Sequence, residues 1–131
     1  MGRTLLISFN PYTSYGTGVD QVGLEDLILS VKLKNDLGIE EMVNTGQDFD
    51  FINSCLDPFE LWKLSEDEWY LLLNKIKKST YNFVLYELNF SFQIPVLKIL
   101  SNSNQIFFFN LKKLPEESFK KSLKDLKDKG Y

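Results

Sequence analysis

Two side chains in this sequence of 131 residues combine a reactive group with a position that suits a functional site. Glu87 closes the apolar segment FVLYE, and Cys55 follows the segment DFINS. A carboxylate at the end of a strand can hold a metal ion or position a water molecule, and a thiolate can act as a nucleophile. Each has an ordinary alternative, with Glu87 as a solvated acid at a strand end and Cys55 as a buried, inert thiol.

The chain contains no histidine, and this absence removes several classes of catalytic site. Without an imidazole there is no base to activate Cys55, no Ser-His-Asp triad and no histidine-containing zinc or iron site. Gly16, Gly18 and Gly23 match neither GxxxxGK[ST] nor GxGxxG, the loops that hold phosphate groups. We therefore predict no catalytic residue, no metal-ligand set and no bound cofactor, with Glu87 as the one candidate ligand residue.

Length, composition and charge predict a single domain over residues 1–131. An apolar share of 44% with 25% charged residues is ordinary for a globular protein. The net charge of −3 gives no attraction to nucleic acid, and the Lys-rich end 112–131 is interpreted as the solvated face of a helix. The sequence has one cysteine, no secretory signal and no apolar run long enough to cross a bilayer, which predicts a cytoplasmic protein.

Apolar runs alternate with stretches of helical spacing along the whole chain. Apolar runs bounded by turn residues predict strands, and apolar residues at every third or fourth position predict helices. The predicted strands are 4–9, 48–54, 83–88 and 105–110, and the predicted helices are 24–34, 66–78, 95–102 and one that starts at Pro115 and ends before Gly130. A single helical turn is predicted within residues 39–43.

The helix over 66–78 has the clearest start signal in the sequence. Ser65 can accept a hydrogen bond from the first helical turn, Glu68 can complete a capping box, and Leu64 can pack against Trp69. Acidic residues in a first turn also interact favourably with the helix dipole. The acidic segment 66–68 is therefore explained by the helix itself and predicts no site.

The alternation of strands and helices predicts a mostly parallel sheet with helices on both sides. Ligands of such sheets bind outside the carboxyl ends of the strands. The residues predicted at that edge are Asn10, Ser54 to Asp57, Glu87 and Asn110.

A series of short segments resembles one known family. LLISFNP, GLEDLI, FDFINSCLDPFEL, LSEDEWYLLLNKI, YNFVLYELN and QIFFFNL, spread over residues 4–128, are similar in order and pattern to MinD/ParA-type P-loop ATPases, most of all to the septum-site and pilus-assembly branch. The resemblance implies a three-layer α/β/α sandwich with a mostly parallel sheet of about four strands. It places Ser8 to Pro11 where the family has Asp-x-Asp-Pro, and Glu87 where the family has the Walker B Asp that supports magnesium.

The phosphate-binding loop of that family has no counterpart in the sequence. Its strand and loop would precede residue 4, and no Gly-Lys-Thr or Gly-Lys-Ser occurs in the chain. Backbone amides and the loop lysine carry the nucleotide phosphates in such enzymes. The resemblance therefore implies a P-loop-NTPase-like domain that lacks the P-loop strand. We interpret it as a non-catalytic relative that acts through protein contacts, or as a fragment of a larger ATPase.

The missing strand also bears on partners. In the family it lies beside the Walker B strand, so strand 83–88 is expected to have an open edge, which invites altered pairing or dimerisation. We expect a protein partner or self-association, including a homodimer through the sheet edge.

Two alternative functions stay open. One is a composite ATPase to which this chain supplies Glu87. The other is a flavodoxin- or receiver-like module. A receiver needs a cluster of acidic residues at its strand ends, and Ser8, Asn10 and Glu87 supply such a cluster poorly.

Overall fold

The computed structural model describes residues 2–10, 21–55, 57, 59–88, 94–106, 116–128 and 130. Within these ranges the elements follow one another as β1 (Thr4–Ser8), α1 (Leu24–Lys32), a 3₁₀ turn (Ile39–Glu41), β2 (Asp50–Ile52), α2 (Phe59–Trp62), α3 (Glu66–Lys77), β3 (Phe83–Glu87), α4 (Ile94–Ser101) and α5 (Glu116–Asp128). None of the helices in this described part has the length and apolar character needed to cross a membrane.

The three strands form one parallel sheet in the order β2, β1, β3. β1 is central, and Leu6 lies opposite Phe51 on one side and opposite Leu85 on the other. A parallel sheet flanked by helices confirms the predicted fold class. Three of the four predicted strands are confirmed; in the fourth, 105 and 106 lie outside any strand, and residues 107–110 are not among those described.

One face of the sheet packs against α1 and α3. Leu5 and Ile7 of β1 and Ile52 of β2 point to this face, and each is completely buried. The helices contribute apolar stripes to the same core, and the members that are shielded best are Leu24, Leu27, Leu72 and Ile76. This packing explains the near-continuous apolar character of the strand sequences, since strands of parallel sheets are shielded by helices.

The register places a second set of side chains on the opposite face. Thr4 and Leu6 of β1 lie beside Phe83 and Leu85 of β3 on that face. Phe83 is 63% exposed and Leu85 is 50% exposed, although both are large and apolar. Within the described residues, the outer part of this face is therefore left open to solvent.

Helix α3 begins after Ser65, the N-cap that the local sequence predicts. The Ser65 hydroxyl oxygen accepts a hydrogen bond of 3.2 Å from the Glu68 N–H, and Leu64 and Trp69 are both buried. The Glu68 carboxylate lies 3.7 Å from the Lys32 ammonium and so joins α3 to α1. The prediction of Ser65 as the N-cap is confirmed, but the predicted capping box is not formed, because the Glu68 carboxylate faces Lys32 and connects the two helices of the core.

The short helix α2 was not predicted. It has four residues, too few to show a helical period in the sequence. Its start is set by Asp57, whose carboxylate accepts a hydrogen bond of 3.0 Å from the Phe59 N–H. Asp57 therefore ends the segment after β2 and at the same time begins a helical turn.

A cluster of three side chains, here called the amino-end cluster, joins the starts of all three strands. It consists of Arg3 before β1, Asp50 at the start of β2 and Tyr81 before β3. The Asp50 carboxylate accepts hydrogen bonds from the Tyr81 hydroxyl at 2.6 Å and from the Arg3 guanidinium at 2.8 Å. The guanidinium also stacks 4.7 Å from the centre of the Tyr81 ring. The cluster thus ties the strands together at the end of the sheet opposite the predicted ligand edge.

Candidate functional site at the carboxyl edge of the sheet

The parallel strands bring several predicted residues to one edge. β1 ends at Ser8, followed by Asn10; β2 is followed by Asn53 and Cys55; and β3 ends at Glu87. Because all three strands run in the same direction, these ends meet at the carboxyl edge of the sheet. This is the edge at which open α/β folds bind their ligands.

Glu87 is held by a hydrogen bond to Ser8. The two residues are register partners, and the Ser8 hydroxyl donates to a Glu87 carboxylate oxygen at 3.0 Å. Ser8 is completely buried, and its hydroxyl oxygen also accepts a bond of 3.3 Å from the Asn10 N–H. The carboxylate therefore lies over the end of the strand in a fixed position. This differs from the ordinary alternative of a freely solvated acid.

The first turn of α1 lies next to this edge and carries its own negative charge. The Asp26 carboxylate accepts a hydrogen bond of 3.0 Å from the Gly23 N–H, and Glu25 is the second acid of the turn. A side chain at position 23 would meet Glu25, because a Cβ built there lies 2.4 Å from its carboxylate oxygen. A helix N-terminus that follows a parallel strand is a natural site for a phosphate group. Here the chain's own carboxylates occupy that position.

The end of β2 is fastened to the start of α1. The Leu24 N–H donates to the Asn53 carbonyl at 2.9 Å, and the Asn53 side-chain amide donates to the Gln21 side chain at 2.7 Å. Asn53 thus has a structural role, because it positions the entrance to α1 beside the sheet. Of the other residues predicted at this edge, Asp57 is exposed and Asn110 lies outside the described residues.

Cys55 is a buried thiol at the same end of the sheet. Its residue surface is 3% exposed, and burial raises the pKa of the thiol to about 12. Burial is the largest cause of this rise in pKa, and the negative charges of Glu25, Glu60 and Asp57 contribute to it. The sulfur is therefore protonated near neutral pH and is a poor nucleophile.

At the ends of the three strands themselves, Glu87 is the carboxylate that a hydrogen bond holds in a position to contact a ligand. Within the described residues, no group of three or more Cys, Asp and Glu side chains is arranged to hold a metal ion. A magnesium ion bound at Glu87 would therefore need further ligands from outside these residues. Glu87 is therefore a positioned acid, and the Ser8 hydroxyl is its hydrogen-bond donor.

A cavity that the sequence did not predict lies near the other end of the helices. It has a volume of about 510 Å³ and lies between the C-terminal ends of α1 and α3 and the connecting segment 35–40. The Lys75 ammonium crosses it to donate hydrogen bonds to the carbonyl oxygens of Asn35 and Leu37, at 3.0 Å and 2.6 Å. Lys75 lies in the last turn of α3, and its bonds to a segment 40 residues away in the sequence give no local sequence signal.

Comparison with known proteins gives a match in structure only. The sequence matches no protein-family model and no curated protein. The structure is similar to the crystal structure of a ParA family ATPase from Chlorobium tepidum TLS, with a TM-score of 0.55 and 13% sequence identity over 77% of this chain. The matched part is 44% of that ATPase, so this chain spans less than half of its length. The described part of the chain therefore has a fold similar to that of a ParA family ATPase.

Proposed function

We propose that this chain is a non-catalytic ParA-like domain that works through contacts with protein partners. The observation that carries the proposal is the state of the carboxyl edge, where acidic side chains take the place that a bound phosphate would need. Asp26 accepts the Gly23 N–H at the start of α1, and Glu25 adds a second negative charge in the same turn. Glu87 adds a third carboxylate at the end of β3, on the other side of β1 from β2.

Nucleotide binding requires the opposite arrangement of charge. The phosphates of ATP are held by backbone N–H donors, a lysine and a magnesium ion. The sequence has no Gly-Lys-Thr or Gly-Lys-Ser, and Ser8 and Asn10 stand where the family resemblance implies two Asp residues. A polyphosphate brought to the start of α1 would therefore meet the carboxylates of Glu25 and Asp26 and no lysine of a Gly-Lys-Thr or Gly-Lys-Ser loop.

The surface of β3 supports a role in protein contacts. Phe83 and Leu85 are exposed on one face of the sheet, and β1 alone pairs with β3 among the described strands. Exposed apolar side chains beside an open strand edge are typical of surfaces that bind another chain.

The net charge of −3 makes nucleic acid an unsuitable partner. We propose a cytoplasmic location from the sequence features given above.

Calorimetric titration of the purified chain with Mg-ATP tests the non-catalytic proposal. We expect no heat of binding up to about 1 mM nucleotide, which corresponds to a binding free energy weaker than about −4 kcal/mol. We also expect no phosphate release above the rate of the buffer blank. Saturable binding of Mg-ATP, or turnover by the chain alone, would refute the proposal.

A second candidate is a composite ATPase in which Glu87 supports a magnesium ion at a P-loop supplied by another segment. The hydrogen bond from Ser8 that fixes Glu87 at the ligand edge favours it, as does the fact that the chain spans less than half of the similar ATPase. Its test is to add a P-loop-bearing segment and measure hydrolysis. Activity that appears on mixing and falls at least about 100-fold in Glu87→Gln would favour this candidate over the first.

A further inference from the structure

The outer edge of β3 presents a defined set of backbone groups. In a parallel ladder the N–H and C=O of a given residue point to the same neighbour. The Glu87 carbonyl accepts from the Phe9 N–H at 2.9 Å, and the Phe83 N–H donates to the Arg3 carbonyl at 3.3 Å, so residues 83, 85 and 87 point towards β1. Val84 and Tyr86 therefore direct their N–H and C=O groups to the outer edge.

β3 also lacks the features that keep strand edges from pairing. Natural edges are protected by lysine, by proline, by bulges or by short, twisted strands. The five residues of β3, FVLYE, include neither lysine nor proline, and all five pair in register with β1 without a bulge. Among the described strands no other strand lies at this edge.

From this geometry we propose that β3 pairs with β3 of a second copy of the chain, antiparallel and about a two-fold axis at Leu85. The inference rests on the proposed function, because it names the partner in the protein contact. With the axis at this position, Val84 of one copy lies opposite Tyr86 of the other. Each such pair exchanges two backbone hydrogen bonds, so the outward groups of both residues in both copies are satisfied.

The same axis makes Leu85 a self-contacting residue. The two Leu85 residues form a non-hydrogen-bonded pair, in which Cα atoms are about 4.5 Å apart and side chains touch. Both side chains project from the same face, and Phe83 of one copy lies opposite Glu87 of the other. The pairing joins the two described three-stranded sheets into one of six strands. The exposed apolar surface of Phe83 and Leu85 then continues across the junction from one copy to the other.

Charge favours this antiparallel arrangement over a parallel one. Glu87 is the only charged residue of β3. Parallel pairing in register would place the two Glu87 carboxylates side by side, and like charges directly opposite each other destabilise a sheet. Antiparallel pairing about Leu85 separates them by four residues, which is about 13 Å along the strands.

The interface is small, so the dimer is expected to be weak. Two five-residue strands share a junction about 17 Å long, and only two large apolar side chains per copy flank it. Interfaces below about 1,200 Å² belong to weak or transient complexes. We therefore expect a dissociation constant between about 1 µM and about 1 mM.

Sedimentation equilibrium over that concentration range tests the pairing. Leu85→Lys places two ammonium groups opposite each other and should raise the dissociation constant at least about 10-fold. Leu29→Lys is the matched control, because Leu29 is 54% exposed on α1 and lies away from β3, and it should leave the constant unchanged. Circular dichroism establishes that both variants remain folded.

Two further measurements test the register and remain informative even if Leu85→Lys fails to fold. Phe83→Lys places an ammonium opposite Glu87 of the other copy, whereas Phe83→Glu places a second carboxylate there, so the Lys variant should dimerise at least about 5-fold more tightly than the Glu variant. In the unmodified chain, hydrogen exchange of the Val84 and Tyr86 amides should slow as protein concentration rises.

A strict monomer at about 1 mM protein would overturn the inference, as would a dimer that Leu85→Lys leaves intact. Protection of the Val84 and Tyr86 amides that does not depend on concentration would assign the edge to another segment of the same chain. None of these readouts involves nucleotide. A monomer that also fails to bind Mg-ATP would therefore refute the dimer and leave the non-catalytic assignment standing.

Discussion

The amino-end cluster offers the sharpest test of how the sheet is held together. Asp50 is 8% exposed, and its carboxylate accepts hydrogen bonds from Tyr81 at 2.6 Å and from Arg3 at 2.8 Å. The Tyr81 hydrogen bond is the largest cause that lowers the pKa of Asp50; Arg3 lowers it further, while burial acts in the opposite direction. The folded state therefore favours the charged form of Asp50.

Tyr81→Phe removes the hydroxyl and leaves the ring in place. A hydrogen bond to a charged, buried acceptor is worth about 1.5–3 kcal/mol, so we expect the free energy of unfolding at pH 7 to fall by that amount. Arg3 contributes less, because its side chain is 59% exposed, and an exposed ion pair is worth at most about 1 kcal/mol. Tyr70→Phe is the matched control, since Tyr70 is 70% exposed, and it should change stability by less than about 0.5 kcal/mol.

The loss should depend on pH in a way that identifies Asp50. A group whose pKa is lowered by folding adds to the free energy of unfolding. This contribution is complete above the pKa of the group in the unfolded chain, about 3.9 for Asp, and is lost as pH falls towards the pKa in the folded chain. The difference between the unmodified chain and Tyr81→Phe should therefore be largest at neutral pH and should shrink below about pH 4.

At alkaline pH the difference should shrink for a second reason. Burial, followed by the bond to Asp50, raises the pKa of Tyr81, so folding favours the neutral phenol. The stability that comes from this shift is present below the pKa of tyrosine in the unfolded chain, about 10, and is lost as pH rises above that pKa. The Phe variant has no phenol to ionise and escapes this loss.

Urea unfolding followed by tryptophan fluorescence provides the measurement, because Trp69 is 3% exposed in the folded chain. Curves at pH 7 and at about pH 3.5 are compared for the unmodified chain, Tyr81→Phe and Tyr70→Phe. The reasoning fails if Tyr81→Phe costs no more than Tyr70→Phe at pH 7, or if its cost is the same at both pH values.

Three further predictions concern the core, the α3 cap and the thiol. Leu72→Ala should lower the free energy of unfolding by about 2–5 kcal/mol in urea titrations, because Leu72 is completely buried; a loss below about 1 kcal/mol would contradict its place in the core. Ser65→Ala should cost about 1 kcal/mol and Ser65→Thr much less, since only the hydroxyl accepts the Glu68 N–H; equal losses in the two variants would argue against the cap. Cys55 should react with a chromogenic disulfide reagent at pH 8 at least about 100-fold more slowly in the folded chain than in urea, because burial raises its pKa to about 12; rapid reaction without denaturant would show that the thiol is accessible.

Local signals in the sequence were sufficient for elements that depend on their own residues. Ser65 was predicted to cap α3, and it does so, because an N-cap involves groups only three residues apart. The alternating pattern of the chain likewise predicted β1, β2 and β3, since the shielding of parallel strands leaves a mark on each of them separately. Helix α2 was missed because one turn has no measurable period.

Contacts between distant segments followed no such signal. Ser8 and Glu87 are 79 residues apart, and although the sequence indicates Glu87 as a candidate ligand residue, nothing in it indicates that Ser8 is its hydrogen-bond donor. The amino-end cluster joins residues up to 78 positions apart, and no property of Arg3, Asp50 or Tyr81 in the sequence indicates the other two. Only the register of the strands brings these groups within bonding distance.

The sequence by itself determined that this chain is an α/β domain with parallel strands, that it lacks histidine, and that it contains no lysine-bearing phosphate loop. These are properties of composition and of short-range pattern, and they do not depend on how the elements pack. The tertiary structure decided that β1 is central, that α1 and α3 cover one face, and that Phe83 and Leu85 remain exposed beside the outer edge of β3. Apolar residues in a strand indicate only that something shields them, and which face stays open depends on where the rest of the chain lies.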